Sequence, residues 1–389
     1  MSALLTINTG SSSLKFGLYL DASEPELVLH GQVDGIGLAP TLLLEVAGTK
    51  SKTPVAAETP EAALAAVISH LQPYLEGQVI SGVGHRIVHG GESFAEPTTL
   101  TPEVLSALED LSPLAPLHQP HNLAGVEAAR AAFPEAAQVG CFDTAFHRGH
   151  PWVNDTFGLP RAYYDAGVRR YGFHGLSYEY ITGVLAQDYP KLHAGRVIVA
   201  HLGNGASMCA VQGGQSIGSS MGFSALDGLP MGTRCGQIDP GVMLYLFDQL
   251  GMSAAEVTRM LYKYSGLLGL SGISSDMRTL LDSDAKEAAQ AIDYYVFRAR
   301  REIGALSAVL GGLDALVFCG GIGENAALIR SKIIEGLNYL GLSLDSDANS
   351  TNQVSIGSGR AQVLVIPTDE ERVIASAVHG ALATRQARV

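Results

Sequence analysis

The amino-acid sequence predicts an α/β protein with two sheet-containing domains, and three observations carry that expectation. A strand pattern, a small-residue turn and a second strand pattern occur twice, over residues 4–19 and again over residues 197–211. In both copies aliphatic and β-branched residues flank glycines that tolerate positive φ, which reads as a hairpin. The chain has 389 residues, enough for about two domains. Strand patterns also mix with helical periods along its whole length, as α/β architectures require.

In chain order, strands are predicted over residues 4–7, 15–20, 27–32 and 42–46. Residues 60–71 read as a helix with Pro60 and Glu61 in its first turn. Residues 79–83 read as a strand, followed by an irregular stretch over 84–91 that holds Gly84, Gly90 and Gly91. Thr101-Pro102 opens another helix, residues 122–132 form a third that Pro134 stops, and residues 139–142 are a short strand ending at Asp143. Glycine and proline break the pattern at 147–151, the expected domain boundary. Beyond it come a helix over 177–187, the second hairpin, and a helix capped by Asp239-Pro240 and ended by Gly251. Ser253 and Glu256 have the spacing of a capping box. Residues 284–310 carry a long helical period. The buried-strand run 315–319 leads into a turn at Gly320-Gly321-Ile322-Gly323-Glu324-Asn325 and a helix over 326–340, and a strand at 361–366 precedes the C-terminal helix.

Hydrophobic residues make up 47% of the chain and charged residues 16%, so a large core is available. A net charge of −13 argues against nonspecific nucleic-acid binding and means that an anionic substrate must be met by local cations. Cys141, Cys209, Cys235 and Cys319 form no CxxC pair, so neither a zinc ribbon nor a disulfide framework is indicated. The N-terminal residues lack the basic and apolar regions of a signal peptide, and the apolar tract at 304–323 is broken by Asp314 and rich in glycine. The expectation is a cytoplasmic protein without a membrane span.

Small turn residues let backbone N–H groups approach an anion. Two such turns, with Lys15 and the serine cluster Ser11, Ser12 and Ser13 in the first, suggest two related domains facing one nucleotide, the layout of a cleft kinase. No GxxxxGK[ST] loop, H-R-D loop or D-F-G triplet is present, so the P-loop and protein-kinase solutions are excluded. Phosphoryl transfer would then rest on other cations and a metal anchor. Arg86 and Arg234 each stand among glycines, Asp143 ends a strand, and His174 sits in the run Arg170-Tyr171-Gly172-Phe173-His174-Gly175. A rival reading is a metal-dependent hydrolase built on the spaced pairs His85/His89, His118/His121 and His147/His150.

Seven segments, in order, resemble the acetate kinases of the actin and sugar-kinase superfamily. They are residues 8–15 (Asn-Thr-Gly-Ser-Ser-Ser-Leu-Lys), 84–91 (Gly-His-Arg-Ile-Val-His-Gly-Gly), 142–147, 170–175, 201–205, 231–234 and 321–325, within a resemblance running from residue 4 to about 375. It implies two similar ribonuclease-H-like domains facing a central cleft, residues 1–147 with 371–389 and residues 148–370. It implies reversible phosphorylation of acetate by ATP with Mg²⁺ (Mn²⁺ as an alternative), in a homodimer. By the same resemblance Asn8 and a C-terminal glutamate, Glu370 with Glu371 as the alternative, place the metal. Ser11, Ser13 and Lys15 face the phosphates. His201, Leu202, Gly203, Asn204, Gly205, Asp276, Met277, Arg278, Gly321, Ile322, Gly323, Glu324 and Asn325 hold the nucleotide. Arg86 and Arg234 bind the oxyanions, His174 donates to developing charge, and Asp143 orients the site or acts as acid/base, the first being favoured because acetate has no proton to lose. Val88, Leu117, Phe173 and Ala225 line the methyl pocket. Ala225 departs from the family's usual proline, which leaves room for propionate, since one methylene is worth only ~1–3 kcal/mol of discrimination. Gln237 also departs, standing where the family usually has aspartate.

Overall fold

Each of the two hairpins anchors a sheet. The computed structural model of the chain describes residues 2–10, 13–75 and 77–386. The first sheet contains β1 (Ala3–Thr9), β2 (Ser13–Leu20), β3 (Glu26–Asp34), β4 (Thr41–Val46), β5 (Thr49–Pro54), β6 (Ile80–Ile87), β7 (Thr98–Thr99) and β8 (Ala137–Phe142). Their spatial order is β5-β4-β3-β2-β1-β6-β8-β7. The second contains β9 (Arg196–Leu202), β10 (Ala206–Gln212), β11 (Gln215–Ser219), β12 (Ala315–Cys319) and β13 (Gln362–Val365), in the order β11-β10-β9-β12-β13.

The two sheets share one topology. β1 pairs antiparallel with β2 and parallel with β6, which is parallel to β8. Likewise β9 pairs antiparallel with β10 and parallel with β12, which is parallel to β13. β3 and β11 extend the antiparallel side of each. The extra strands β4, β5 and β7 belong to the first sheet alone. The chain divides into two compact units, Met1–Arg148 with Asp369–Val389, and Gly149–Thr368.

In the first unit Leu5, Ile7, Leu14, Phe16 and Leu18 of the hairpin pack with Val67 and Leu71 of the helix Pro60–Leu75. The C-terminal helix Glu370–Gln386 lies on β1, β6 and β8. Its seat explains why β6 runs on through Gly84, His85 and Arg86, where the sequence suggested irregular chain. A Cβ on Gly82 would lie 2.4 Å from Val378 Cγ1, and one on Gly84 would lie 2.3 Å from Ile374 Cγ2. These glycines form a notch for a helix and no turn.

In the second unit the long helix Lys286–Leu310 packs on β9, β10 and β11, and Gly311 closes it at φ 69°. The capping box at Ser253 and Glu256 forms as expected. Two expectations need correction. Residues Gly320–Asn325 are themselves a short helix, and the following helix, Ala327–Ile334, stops before Gly336, whose φ is +86°. β5 escaped the sequence reading because all six of its residues are exposed, so it carries no apolar alternation. Among the described residues no helix is long and apolar enough to cross a membrane.

Candidate active site

In the first unit the parallel strands β1, β6 and β8 bring their carboxyl ends together, the edge at which open α/β sheets bind ligands. Arg86 leaves β6 there, Asn8 leaves β1, and Asp143 follows β8, its N–H donating to Ile87 O at 3.0 Å. Arg86 grips Asp143 with two bonds, Nε to Oδ1 at 3.0 Å and Nη2 to Oδ2 at 2.5 Å. Its Nη1 donates to Asn8 Oδ1 at 3.4 Å, and its Nε lies 3.6 Å from Glu370 Oε2. The Asp143 side chain is 1% exposed and that of Arg86 24%, so one face of the guanidinium remains open. Burial raises the Asp143 carboxyl above its usual range, with Arg86 opposing and Glu370 reinforcing the shift. Burial alone would lower Arg86, and the carboxylates of Asp143, Glu370 and Glu371 overcome that.

Lys15 faces Asn8 across the first hairpin, is exposed, and its charge acts on Glu371, whose carboxyl burial and Glu370 push up. Ser13 begins β2, and Ser11 lies outside the described residues. Asn8 and Glu370 present hard oxygens that approach the same guanidinium, a donor set that fits a magnesium-type cation retaining most of its waters.

The segment after β6 is held by side chains that sequence reading passed over. Asn122 accepts from Val88 N–H at 3.0 Å and donates to Thr9 O at 2.7 Å, joining that segment to the end of β1. Gln119 accepts from His89 N–H and donates to His89 O, and Thr144 accepts from Gly90 N–H. The signal for Gln119 and Asn122 was their place in the first turn of the helix Gln119–Ala132, whereas Thr144 lay within the 142–147 segment. Val88 is buried and Leu117 half-buried.

In the second unit His174 is at the start of the helix Gly175–Asp188 with φ 58°, a left-handed conformation that costs a non-glycine residue about 1–3 kcal/mol. Its Nδ1 bonds Ser207 Oγ at 2.7 Å, and Ser207 in turn contacts Tyr178 OH. Its ring stacks on His201, with centroids 4.3 Å apart. His201 Nδ1 meets Ser177 Oγ at 2.8 Å, and Ser177 also bonds Thr368. Arg234 Nη1 donates to Ala225 O at 3.2 Å, and Gly205 lies against both His174 and Arg234. Ser207 was legible as part of the second hairpin; nothing in the sequence marked Tyr178.

The structure also gathers the expected nucleotide residues of this unit. Gly203 lies beside the backbone of Gly321, and Gly232 lies against Asn204 and Ser275, next to Asp276. Asp276 caps a helical turn and pairs with Arg278, whereas Met277 is buried and Leu202 with it. Glu324 spends its carboxylate on the backbone, accepting from Gly320 N–H at 2.8 Å and Thr368 N–H at 3.2 Å. Gly321, Asn325 and Asn204 are exposed, Ile322 is half-buried and Gly323 buried. Phe173 is buried beside His174, and Ala225 is half-buried.

The histidine pairs do not make a metal centre. His85 bonds Gln138, His89 Nδ1 accepts from Gly91 N–H, and His150 bonds Ser216. Among the described residues no three His, Cys, Asp or Glu side chains are grouped to hold a metal, so nothing there supports the hydrolase reading.

The acetokinase family profile matches residues 3–376. The chain belongs to the acetokinase family. It is 52% identical over 387 residues to an acetate kinase of Methylocella silvestris, covering 96% of both chains. Among solved structures, the acetokinase-family chain superposes on Porphyromonas gingivalis acetate kinase with a TM-score of 0.87 at 38% identity, over 98% of this chain and 100% of that one. A propionate kinase from Francisella tularensis gives a TM-score of 0.91 at 36% identity, over 97% of this chain and 99% of that one. The repeated sheet topology is accordingly that of the two-domain actin and sugar-kinase fold.

Proposed function

We propose that this chain catalyses reversible, ATP-dependent phosphorylation of acetate to acetyl phosphate. The observation that carries the reading is the Arg86–Asp143 pair at the carboxyl ends of three strands, a planar cation fixed on one side and open on the other. A guanidinium held in this way matches a carboxylate or phosphoryl group bidentately, which lysine cannot do. Acetate is an anion at neutral pH and has no proton to lose, so no general base is needed. One acetate oxygen attacks the γ-phosphorus in line, the new O–P bond forms as the bond to the bridging oxygen breaks, and ADP leaves with that electron pair.

Arg86 and Arg234 hold the anionic oxygens, and Asp143 keeps Arg86 in its rotamer. His174, oriented through Ser207, donates a hydrogen bond to charge that develops in transfer. Asn8 and Glu370 are the residues that would hold Mg²⁺, with Mn²⁺ as the alternative; the cation would neutralise phosphate charge. Ser11, Ser13, Lys15, the 201–205 turn, the 276–278 segment and residues 321–325 are the nucleotide contacts. Val88 and Leu117 of the first unit and Phe173 and Ala225 of the second are the residues assigned to the acetate methyl group.

The proposal includes a homodimer and a cytoplasmic location. The helix Pro240–Asp248 supports the first: Val242, Leu244, Tyr245 and Phe247 are all exposed, and no residue of that helix is buried. Four free cysteines fit a reducing compartment.

The test is kcat/KM with Mg-ATP for acetate, propionate and butyrate. Acetate preferred tenfold or more is the expected result. Near-equal use of propionate would move the assignment to a short-chain acyl kinase, the second reading that Ala225 favours, and Ala225→Pro would then restore the preference. A folded protein that phosphorylates none of the three would end the kinase reading.

A further inference from the structure

Arg330 is among the largest fully buried side chains of the chain, and its surroundings are unusual for a cation. All five of its N–H groups are used. Nε donates to Asn349 Oδ1 at 2.8 Å, and Nη1 to Gly323 O at 2.8 Å and Glu324 O at 3.0 Å. Nη2 donates to Asn349 O at 2.8 Å and Asn352 Oδ1 at 2.6 Å. Every acceptor is a neutral carbonyl or amide oxygen, although buried charges are ordinarily paired with an opposite charge. Two side chains are arranged to serve it. Asn349 is fixed from its other end by bonds to Ala327 O and Ser331 Oγ. Asn352 is one of only three non-glycine residues with positive φ among those described.

We propose that Arg330 is a positioning residue for the nucleotide, holding the Gly320–Asn325 segment in place with a positive charge that no carboxylate hydrogen-bonds, the segment's own Glu324 being bound to backbone N–H groups instead. The inference rests on the reading of that segment as part of the nucleotide site. The segment has one packed side and one open side. A Cβ on Gly320 would collide with Leu202 O at 2.8 Å, whereas one on Gly321 meets nothing within 4 Å. Arg330 binds the carbonyls of Gly323 and Glu324, so it fixes the segment without occupying the space in front of Gly321. An arginine keeps its proton even when buried. Its charge is screened weakly there, which favours a polyanion such as a nucleoside triphosphate over a neutral occupant. A carboxylate partner would have given the same anchoring while cancelling the charge.

The experiment compares Arg330→Met, Arg330→Lys, Asn352→Gly and Gly321→Val with the parent enzyme. For each, the thermal transition, ADP affinity by titration calorimetry, and KM for ATP and for acetate are measured. Arg330→Met should raise KM for ATP and weaken ADP binding at least twentyfold, while KM for acetate changes less than twofold. Arg330→Lys keeps the charge but only part of the hydrogen bonding, and should fall between, at about fivefold. Asn352→Gly tolerates the positive φ and removes one acceptor; a two- to fivefold rise in KM for ATP is expected, and it carries the test where Arg330→Met fails to fold. Unchanged ADP affinity in a folded Arg330 or Asn352 variant, or equal rises in both KM values, overturns the proposal. Gly321→Val separates this from failure of the underlying reading: if it leaves ADP binding intact, the segment is not part of the nucleotide site.

Discussion

Arg86 in the first unit and Arg330 in the second are both densely hydrogen bonded, yet the electrical consequences of their partners are opposite. Arg86 meets the carboxylates of Asp143 and Glu370 and stays partly open. Arg330 is sealed among neutral oxygens and touches no solvent. The first arrangement aims a guanidinium and uses carboxylates to hold its orientation. The second immobilises backbone and leaves the charge uncompensated. A cation that must take hold of a substrate needs direction, and one that acts through the chain it braces needs only to stay in place.

Removing Arg86 should break this contrast most severely. Arg86→Ala is expected to lower kcat by about 10³ or more, roughly 4 kcal/mol, because in the proposed reaction it deletes a cation acting on the transferring group. A loss below tenfold at saturating substrate would remove Arg86 from that role. Asp143→Asn comes next. It keeps the shape but leaves Arg86 without its charged clamp, so a loss of about 10²-fold in kcat is expected. Breaking a buried pair also destabilises by roughly 3–5 kcal/mol; an unaltered urea midpoint together with unaltered kcat would show that the pair does neither.

A third prediction concerns two buried histidines, His85 in β6 and His89 in the segment that follows it. Burial lowers the pKa of His85 to about 4, its bond to Gln138 opposing, and burial with the Arg148 charge lowers that of His89 to about 3. The ordinary value is 6.5, so between pH 6.5 and 4 the unfolded chain takes up protons that the folded chain refuses. Stability is therefore present above pH 6.5 and is lost as pH falls, by about 1.4 kcal/mol per pH unit for each histidine. Urea titrations at pH 7, 6 and 5 would show the slope, and His85→Gln should roughly halve it. The smallest effect expected is that of Gly84→Ala. It drives a methyl into Ile374 and Val378 and should cost about 1–3 kcal/mol, read as a lower Tm with KM values intact.

Much of this molecule was legible in its sequence, for reasons that differ by element. The hairpins, the capping box at Ser253 and the long helix announce themselves through local chemistry that needs no tertiary context. Arg86 and Asp143 were legible because one stands among glycines and the other ends a short strand, whereas Asn8 and Glu370 were marked only by the family resemblance. β6 was cut short because its glycines look like a turn until the helix that fills them is known, and that helix lies almost 300 residues further on in the chain. Arg330 went unnoticed for a related reason: its acceptors are backbone carbonyls and two asparagines drawn from two separate segments, residues 323–324 and 349–352, and no local pattern records that convergence.

The notch at Gly82 and Gly84 has a consequence for how the protein is made. Residues Gly149–Thr368 form a complete unit interposed between the first sheet and the helix that covers it. During synthesis β6 therefore waits, its notch unfilled, while the intervening unit is translated, on the order of ten to forty seconds at about 5–20 residues per second. A sheet made before the intervening unit is therefore finished after it, when Ile374 and Val378 arrive to fill the space over Gly82 and Gly84.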